Sequence, residues 1–426
     1  MWILKRVKVA AGSDYRWRVY ENGFSEKHHS LSADDLRSFL ELAQRYVEHS
    51  LRANRRPDAL YHAYNLLRLE DNAAEIDRLQ EMLEGQVAIL SSELLNAEES
   101  LALLHSLRES ALYRPDQRAY LLYPDKALPG FLQKNLIAPE EVQRLQLPAL
   151  LIQHGETTLF TRDVNGQFHF GGGIRNAQDV RLALDELKDN PLYAALAQAE
   201  SESILALFER VFHHAGFTGR SGAFFAYEGL GSVYWHMVAK LLLAAQETAQ
   251  RFENDSCAPA LRAAVADIRA GLGCHKSPAE YGAFPADPYS HTPKHSGARQ
   301  PGMTGAVKEE ILTRQAETGV TFVDGCLVFS PFLVAESEML AAPQSFTYLD
   351  VSGEQQTLNL PSGSLTCFIC QTPVTVQFGE SDSIVIHYAD ETTRALSGRS
   401  LDEDNSRHIF ARDGVIKSLK ILMQKK

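Results

Sequence analysis

The hydrophobic period of this chain changes near residue 320, and that change sets the broad class of fold. From Ser32 to about Glu317, apolar residues recur at three and four, the spacing of a helix with one buried face. SADDLRSFLELAQRYVEHSLRAN opens with a serine cap and an acidic first turn. AAEIDRLQEMLEGQVAILSS, NAEESLALLHSLRESA, NAQDVRLALDELKD, ESESILALFERVFHH, SVYWHMVAKLLLAAQETAQRF and APALRAAVADIRAGL repeat the pattern. Beyond 320 the runs are short and β-rich: TFVDGCLVFSP, SFTYLDV, QTLNLP, SLTCFIC, VTVQF, SIVIHYA and VIKSLKILM. Gly, Asp, Ser and Pro turns separate them, as in a β-sandwich. The expected class is mainly α, with paired helices that suit an α/α toroid of hairpins, followed by a C-terminal β-sandwich-like domain. The texture divides the chain into a short β element over 1–30 (KRVKVA, then YRWRVYENGF), a toroid-like helical body over 31–319 and the β domain over 320–426. Asn165-Gly166 between alternating runs predicts a hairpin near 157–172 inside the body.

Length and charge narrow the function. A chain of 426 residues has room for two or three domains with real cores. A net charge of −12 argues against nucleic acid or an anionic membrane surface as main partner, and suits small or neutral ligands. The N-terminus, MWILKRVKVAAGSDYRWRVY, lacks the apolar core and cleavage site of a signal peptide. The most apolar stretch, MVAKLLLAA at 237–245, is too short to span a membrane and carries Lys240. Five scattered cysteines fit a reducing compartment, so a cytoplasmic location is expected. Cys367 and Cys370 form a C-x-x-C in a strand-like run, where i and i+3 point to opposite faces; buried apolar thiols are expected rather than a metal or redox pair.

One connection lacks any hydrophobic period: Gly271 to Arg314. Connections of this length are uncommon inside compact domains and are usually functional or disordered. Its rigid, aromatic and hydrogen-bonding residues predict an ordered polar lining. It holds His275, Glu280, Tyr281, Asp287, Tyr289, His291 and His295. His291, Thr292, Lys294, His295, Ser296, Arg299 and Gln300 concentrate donors suited to phosphate or to sugar hydroxyls. As a zinc site the histidines are poor, because Pro293 opposes a helical H-x-x-x-H and no nearby cysteine completes the set. No metal is expected.

A second candidate is FTGRSGAFFAYEGLGSVYWHMVAK at 217–240. Glycines flank Glu228 and aromatics crowd it; desolvation there raises a carboxyl pKa, as a general acid requires. The alternative is a capping or ion-paired carboxylate. His236 and Lys240 lie one turn apart, and Tyr234 and Trp235 suit a stacking wall. His236 also fits as a satisfied core histidine. Two weaker clusters, RRPDALYHAYNLLRLE at 55–70 and YRPDQRAYLLYPDKALPGF at 113–131, interleave aromatics with amides and carboxylates. Sugar subsites do this, and so do loop anchors. Gly171-Gly172-Gly173 has no following Lys-Ser/Thr, so it is expected to be a turn and not a phosphate cradle.

QPGMTGAVKEEILTRQAETGVTFVDGCLVFSPFL resembles the end of the toroid in cellobiose-phosphorylase-type enzymes. The matching pieces are Met303-Thr304-Gly305, Thr318-Gly319-Val320, Gly325-Cys326-Leu327 and Ser330-Pro331, with Asp287-Pro288-Tyr289 resembling an upstream Glu-Pro-Tyr. YEGLGSVYWHMVAKLL resembles the acid-bearing segment of maltose-phosphorylase-type enzymes, and the chain also resembles C-terminal segments of large bacterial proteins. The resemblance spans the last third to half of such enzymes. The D-W-N-D-like segment of the cellobiose-phosphorylase group is absent, so Glu228 takes the acid role by the other group's pattern. The resemblance implies a carbohydrate-active protein cleaving or phosphorolysing a glycosidic bond. Glu228 would protonate the leaving oxygen, while phosphate, or water activated by Glu280, attacks the anomeric carbon. Tyr234, Trp235, His236, His275, Asp287, Tyr289, His291, Thr292, His295, Ser296, Arg299 and Gln300 would hold sugar or phosphate. No cofactor is implied beyond inorganic phosphate as co-substrate. The implied partners are an oligosaccharide or sugar, and a second polypeptide supplying the rest of a toroid. The alternative is a non-catalytic glycan-binding or scaffold subunit that completes a partner's site.

Overall fold

The computed structural model describes residues 2–24, 28, 30–63, 65–69, 73–78, 81–125, 131–212, 231, 233–272, 289–292, 300–301 and 306–424. The chain divides into two compact units, one formed by Met1–Tyr123 with Ser232–Lys426 and one by Pro124–Gly231.

The first unit opens with helix α1 (Trp2–Asn22), where alternation predicted a short β element. Among the described residues no second strand pairs with this segment. A lone strand would leave its backbone groups unsatisfied, whereas a helix bonds them internally. Gly23 ends it: its φ of +68° lets its N–H reach the Val19 carbonyl at 2.9 Å. Helix α2 (Ala33–Ala53) is capped by Ser32, whose hydroxyl accepts from the Asp35 N–H at 3.0 Å. The hairpin of β1 (Leu66–Leu69) and β2 (Ala74–Asp77) follows. Then come α3 (Leu83–Ser91), α4 (Ala97–Glu109, with an Asn96–Glu99 capping box) and a small hairpin of β3 (Tyr113–Arg114) and β4 (Ala119–Tyr120).

The second unit holds α5 (Phe131–Lys134), α6 (Pro139–Gln143), α7 (Leu147–Gln153), β5 (Phe160–Arg162), β6 (Phe168–Phe170), α8 (Ala177–Lys188) and α9 (Ala194–Phe212). Its hairpin closes at Asn165-Gly166, with Gly166 at φ +81° and the Asp163 carboxylate accepting from the Asn165 and Gln167 N–H groups. The unit has its own core of Phe160, Phe170, Leu184, Ile204 and Phe208. A Cβ on Gly171 would lie 2.3 Å from the Thr158 carbonyl oxygen, so this glycine serves a close backbone approach beside the hairpin.

The first unit resumes with β7 (Val233–Tyr234), α10 (Trp235–Arg251), α11 (Ala258–Ala270), β8 (Tyr289–Thr292), β9 (Gln300–Pro301) and α12 (Ala306–Glu317). Helix α10 is buried on nearly every side and packs on α3, α11 and α12. The strands come next: β10 (Val320–Val323), β11 (Cys326–Phe329), β12 (Gln344–Leu349), β13 (Gln355–Leu360), β14 (Ser364–Ile369), β15 (Thr372–Gly379), β16 (Ser383–Tyr388) and β17 (Thr393–Ser397). Helix α13 (Glu403–Ala411) and β18 (Ile416–Gln424) close the described chain. A helical part followed by a strand-rich domain is the order that the change of period predicts. The main sheet runs β14-β15-β18-β16-β17, antiparallel except for β15 and β18. Val374, Val376, Ile384, Ile386, Leu419, Ile421 and Met423 bury one face of it with Leu327 and Phe329 of β11. Cys367 lies in β14, but Cys370 leaves the strand and forms a two-residue turn with Gln371, at φ +49° and +68°.

The helical part meets the strand-rich domain at Gly319. Its φ is +82°, its carbonyl accepts from the Ser330 N–H at 2.7 Å, and an added Cβ would sit 2.6 Å from the Ser330 carbonyl oxygen. Backbone conformation and space both demand glycine here. Gly319→Ala is predicted to destabilise the protein by about 1–3 kcal/mol, read as a lower denaturation midpoint; an unchanged midpoint would contradict this geometry.

Candidate functional site

A three-stranded antiparallel sheet forms at the head of α10, in the order β7-β8-β9. Tyr234 stands opposite His291, and His291 opposite Gln300, so three of the sequence-selected residues form one row across the strands. Val233 stands opposite Thr292, and Tyr289 opposite Pro301. Tyr234 is also the N-cap residue of α10, so Trp235 and His236 fall in its first turn. Trp235 is buried, and the His236 ring stands 5.6 Å from that of Tyr234 at 45°. Glu228, His275, Glu280, Asp287, His295, Ser296 and Arg299 lie outside the described residues.

The sheet continues to one side. Leu121 bridges to Val233, which is fully buried, and this joins the β3–β4 hairpin to β7. Leu121 of this segment therefore reaches the row, although the side chains of the hairpin are mostly spent on anchoring. The Tyr113 and Tyr120 rings meet edge-on at 5.3 Å, and the Arg108 guanidinium lies 3.6 Å above Tyr113 while pairing with Asp267 at 2.9 Å. Burial, reinforced by the Asp267 charge, pushes the Tyr120 phenol well up, so it stays protonated.

Arg114 is the exception. Its Nε and Nη2 donate to the Asp116 carboxylate at 2.9 and 3.0 Å, while its buried Nη1 has no hydrogen-bond partner among the described residues. An orphaned buried donor is costly unless something accepts from it. The site residues chosen from sequence do not include Arg114; an Arg-Pro-Asp in a tight loop was the available signal. In the 55–70 cluster, the side chain of Gln86 accepts from the Tyr61 N–H and donates to the Tyr61 carbonyl, both at 2.9 Å. These bonds anchor the loop.

Gly271 fixes the start of the long polar connection. A Cβ there would lie 2.2 Å from the Arg118 carbonyl oxygen, so the end of α11 presses directly on the β3–β4 turn. Arg118 in turn donates from Nη2 to the Ala270 carbonyl at 3.4 Å. By residue type, strand register brings a tyrosine, a histidine and a glutamine into one row at the start of α10, and Arg114 lies in the β3–β4 hairpin that Leu121 joins to β7. This is a set suited to hydroxyls or an oxyanion.

Residues 128–215 match the family model described as GH149 phosphorylase insertion domain 2. No curated protein matches the chain. The matched range falls within the compact unit Pro124–Gly231, which interrupts the other unit between Tyr123 and Ser232. In this respect the chain resembles members of the glycoside phosphorylase family.

Gly271→Ala is predicted to lower the melting temperature by several degrees, because an L-residue there forces the β3–β4 turn away from α11. A melting curve superimposable on the parent's would show that the two backbones do not approach so closely.

Proposed function

We propose that this chain acts in the phosphorolysis of a glycosidic bond. The observation that carries the reading is the match of residues 128–215 to a phosphorylase insertion domain, in a stretch that folds as a separate unit within the chain. In this reaction a phosphate oxygen forms a bond to the anomeric carbon as the glycosidic C–O bond breaks. Glu228, a few residues ahead of β7, gives its proton to the leaving oxygen and ends as the carboxylate. The donors of His291, Thr292, His295, Ser296 and Arg299 hold the phosphate, and the spare N–H of Arg114 serves the same anion or a sugar oxygen. Tyr234 supplies a stacking surface, with Trp235 packed behind it in the core, while His236, His275, Asp287, Tyr289 and Gln300 take sugar hydroxyls. Phosphate needs no general base to attack, so Glu280 acts as a base only if water replaces phosphate and the reaction becomes hydrolysis. The paired helices would form part of an α/α toroid, and the protein would work in the cytoplasm.

A second reading is a non-catalytic subunit that completes a partner's site. It is favoured by α2, none of whose residues is buried although Leu36, Phe39, Leu40 and Val47 make an apolar stripe. That stripe suits a second polypeptide carrying the rest of the toroid.

The test is an assay of the purified chain on cellobiose, maltose and their longer oligomers, with and without inorganic phosphate. Phosphate-dependent release of a sugar 1-phosphate is expected, with Glu228→Gln lowering kcat by roughly 10²–10⁴-fold. An unchanged rate in that variant would remove Glu228 from the acid role. Sugar binding without turnover by the chain alone would favour the second reading.

A further inference from the structure

A polar cleft of about 210 Å³ lies between the β12–β13 hairpin and the β16 and β18 strands of the main sheet, remote in sequence from every residue assigned above. Its construction is specific. His387 pairs opposite Ser418, but the next residue, Tyr388, pairs with Ile416, so Lys417 is the extra residue of a β-bulge. Bulges re-aim side chains, and here Lys417 lines the cleft. Its ammonium donates to the Glu391 carboxylate at 2.8 Å. Glu391 reaches it from the β16–β17 turn, where it holds a left-handed φ of +65° that non-glycine residues seldom adopt. Opposite them stands Tyr348, its ring 5.1 Å from that of Phe368. The half-exposed Phe346 and Phe368 continue this aromatic surface at 5.8 Å centroid spacing.

The charge balance decides what such a cleft takes. Among the described lining residues the charges are Lys417 and Glu391, which neutralise one another, so an incoming anion would have to displace Glu391 from its partner. What remains is neutral and mixed. The Gln356 amide nitrogen is engaged by Asp350 at 2.9 Å, which leaves its oxygen as an acceptor. The His387 imidazole has no hydrogen bond among the described residues and offers one donor and one acceptor when neutral. Burial raises the Tyr348 phenol pKa, which keeps it a donor. The volume is below the roughly 300–1,000 Å³ of sites for drug-sized ligands and suits one small polyhydroxylated ring.

We propose that this cleft binds one pyranose unit of a neutral glycan, with an apolar sugar face on Tyr348, hydroxyls on His387, Gln356 and the Lys417–Glu391 pair, and the chain continuing over Phe368 and Phe346. The assignment stands on the chemistry of the cleft and does not depend on the phosphorolysis proposed above.

The test titrates the full chain with maltotriose, cellotriose and, separately, inorganic phosphate, following the His387 ring proton signals by NMR and heat by calorimetry. A trisaccharide is expected to shift the His387 signals saturably, with a millimolar or tighter Kd. Tyr348→Ala and Gln356→Ala should each weaken that binding about tenfold, while Glu228→Gln leaves it unchanged even if it abolishes turnover. Should Tyr348→Ala fail to fold, Gln356→Ala and the parent His387 shifts decide the matter. The proposal is overturned if neither trisaccharide moves the His387 signals, if the cleft variants bind sugar as tightly as the parent, or if phosphate alone produces the His387 shift.

Discussion

The first unit depends on the burial of α10. Trp235, Val238, Leu241, Leu242, Ala245 and Ala249 are nearly inaccessible, and large side chains of this kind each contribute about 1.5–3 kcal/mol on burial. A helix with this much apolar surface needs neighbours on most sides, and α3, α11 and α12 supply them. The helix also carries a fully buried amide, Gln246, which donates to Glu317 at 3.1 Å. Glu317 is in turn held by Arg269 of α11 at 3.2 Å and by Arg314 of α12 at 3.0 Å. The Gln246 Oε1 has no hydrogen-bond partner among the described residues, so the Nε2 bond to Glu317 and the two arginine pairs carry this polar knot, which ties three helices together where apolar contacts are not directional. Its last member precedes Gly319 by two residues, which couples the helical packing to the start of the strand-rich domain.

The candidate site inherits its position from that helix. β7 runs straight into α10, so the strand is tied to the helix, and the β7-β8-β9 row is carried at the head of a largely buried helix. A rigid support of this kind is what holding a ligand in a reactive geometry requires. The polar connection that supplies β8 and β9 is fixed at its start by Gly271 against the β3–β4 turn, and it leads into α12.

The sequence disclosed the fold where its signals are local. The switch from helical to alternating period near 320 is such a signal, and so are the Asn165-Gly166 turn, the Ser32 cap and the Asn96–Glu99 box. In α1 a local signal misled, because two short alternating runs are compatible with a strand only if a partner exists. The unit at Pro124–Gly231 was illegible for another reason: its helices and hairpin have the same texture as their surroundings, and only contacts distant in sequence separate it. The same holds for the site. Tyr234, His291 and Gln300 were each selected for their chemistry, but their alignment in one row arises from strand register, which pairs segments far apart in the chain. Arg114 belongs to the weaker 113–131 cluster and was not singled out, because a buried guanidinium with one spare donor cannot be told in sequence from an ordinary Arg–Asp turn.

Strands β7, β8 and β9, joined in one sheet at the head of α10, are expected to respond as one when phosphate and sugar bind. Hydrogen exchange on the full chain, with and without inorganic phosphate plus cellotriose or maltotriose, tests this most directly. Slowed exchange at 233–236, 289–292 and Gln300 together, with the interior of α10 already protected in the free protein, is the predicted result. Protection absent from these three segments, or confined to one of them, would contradict it.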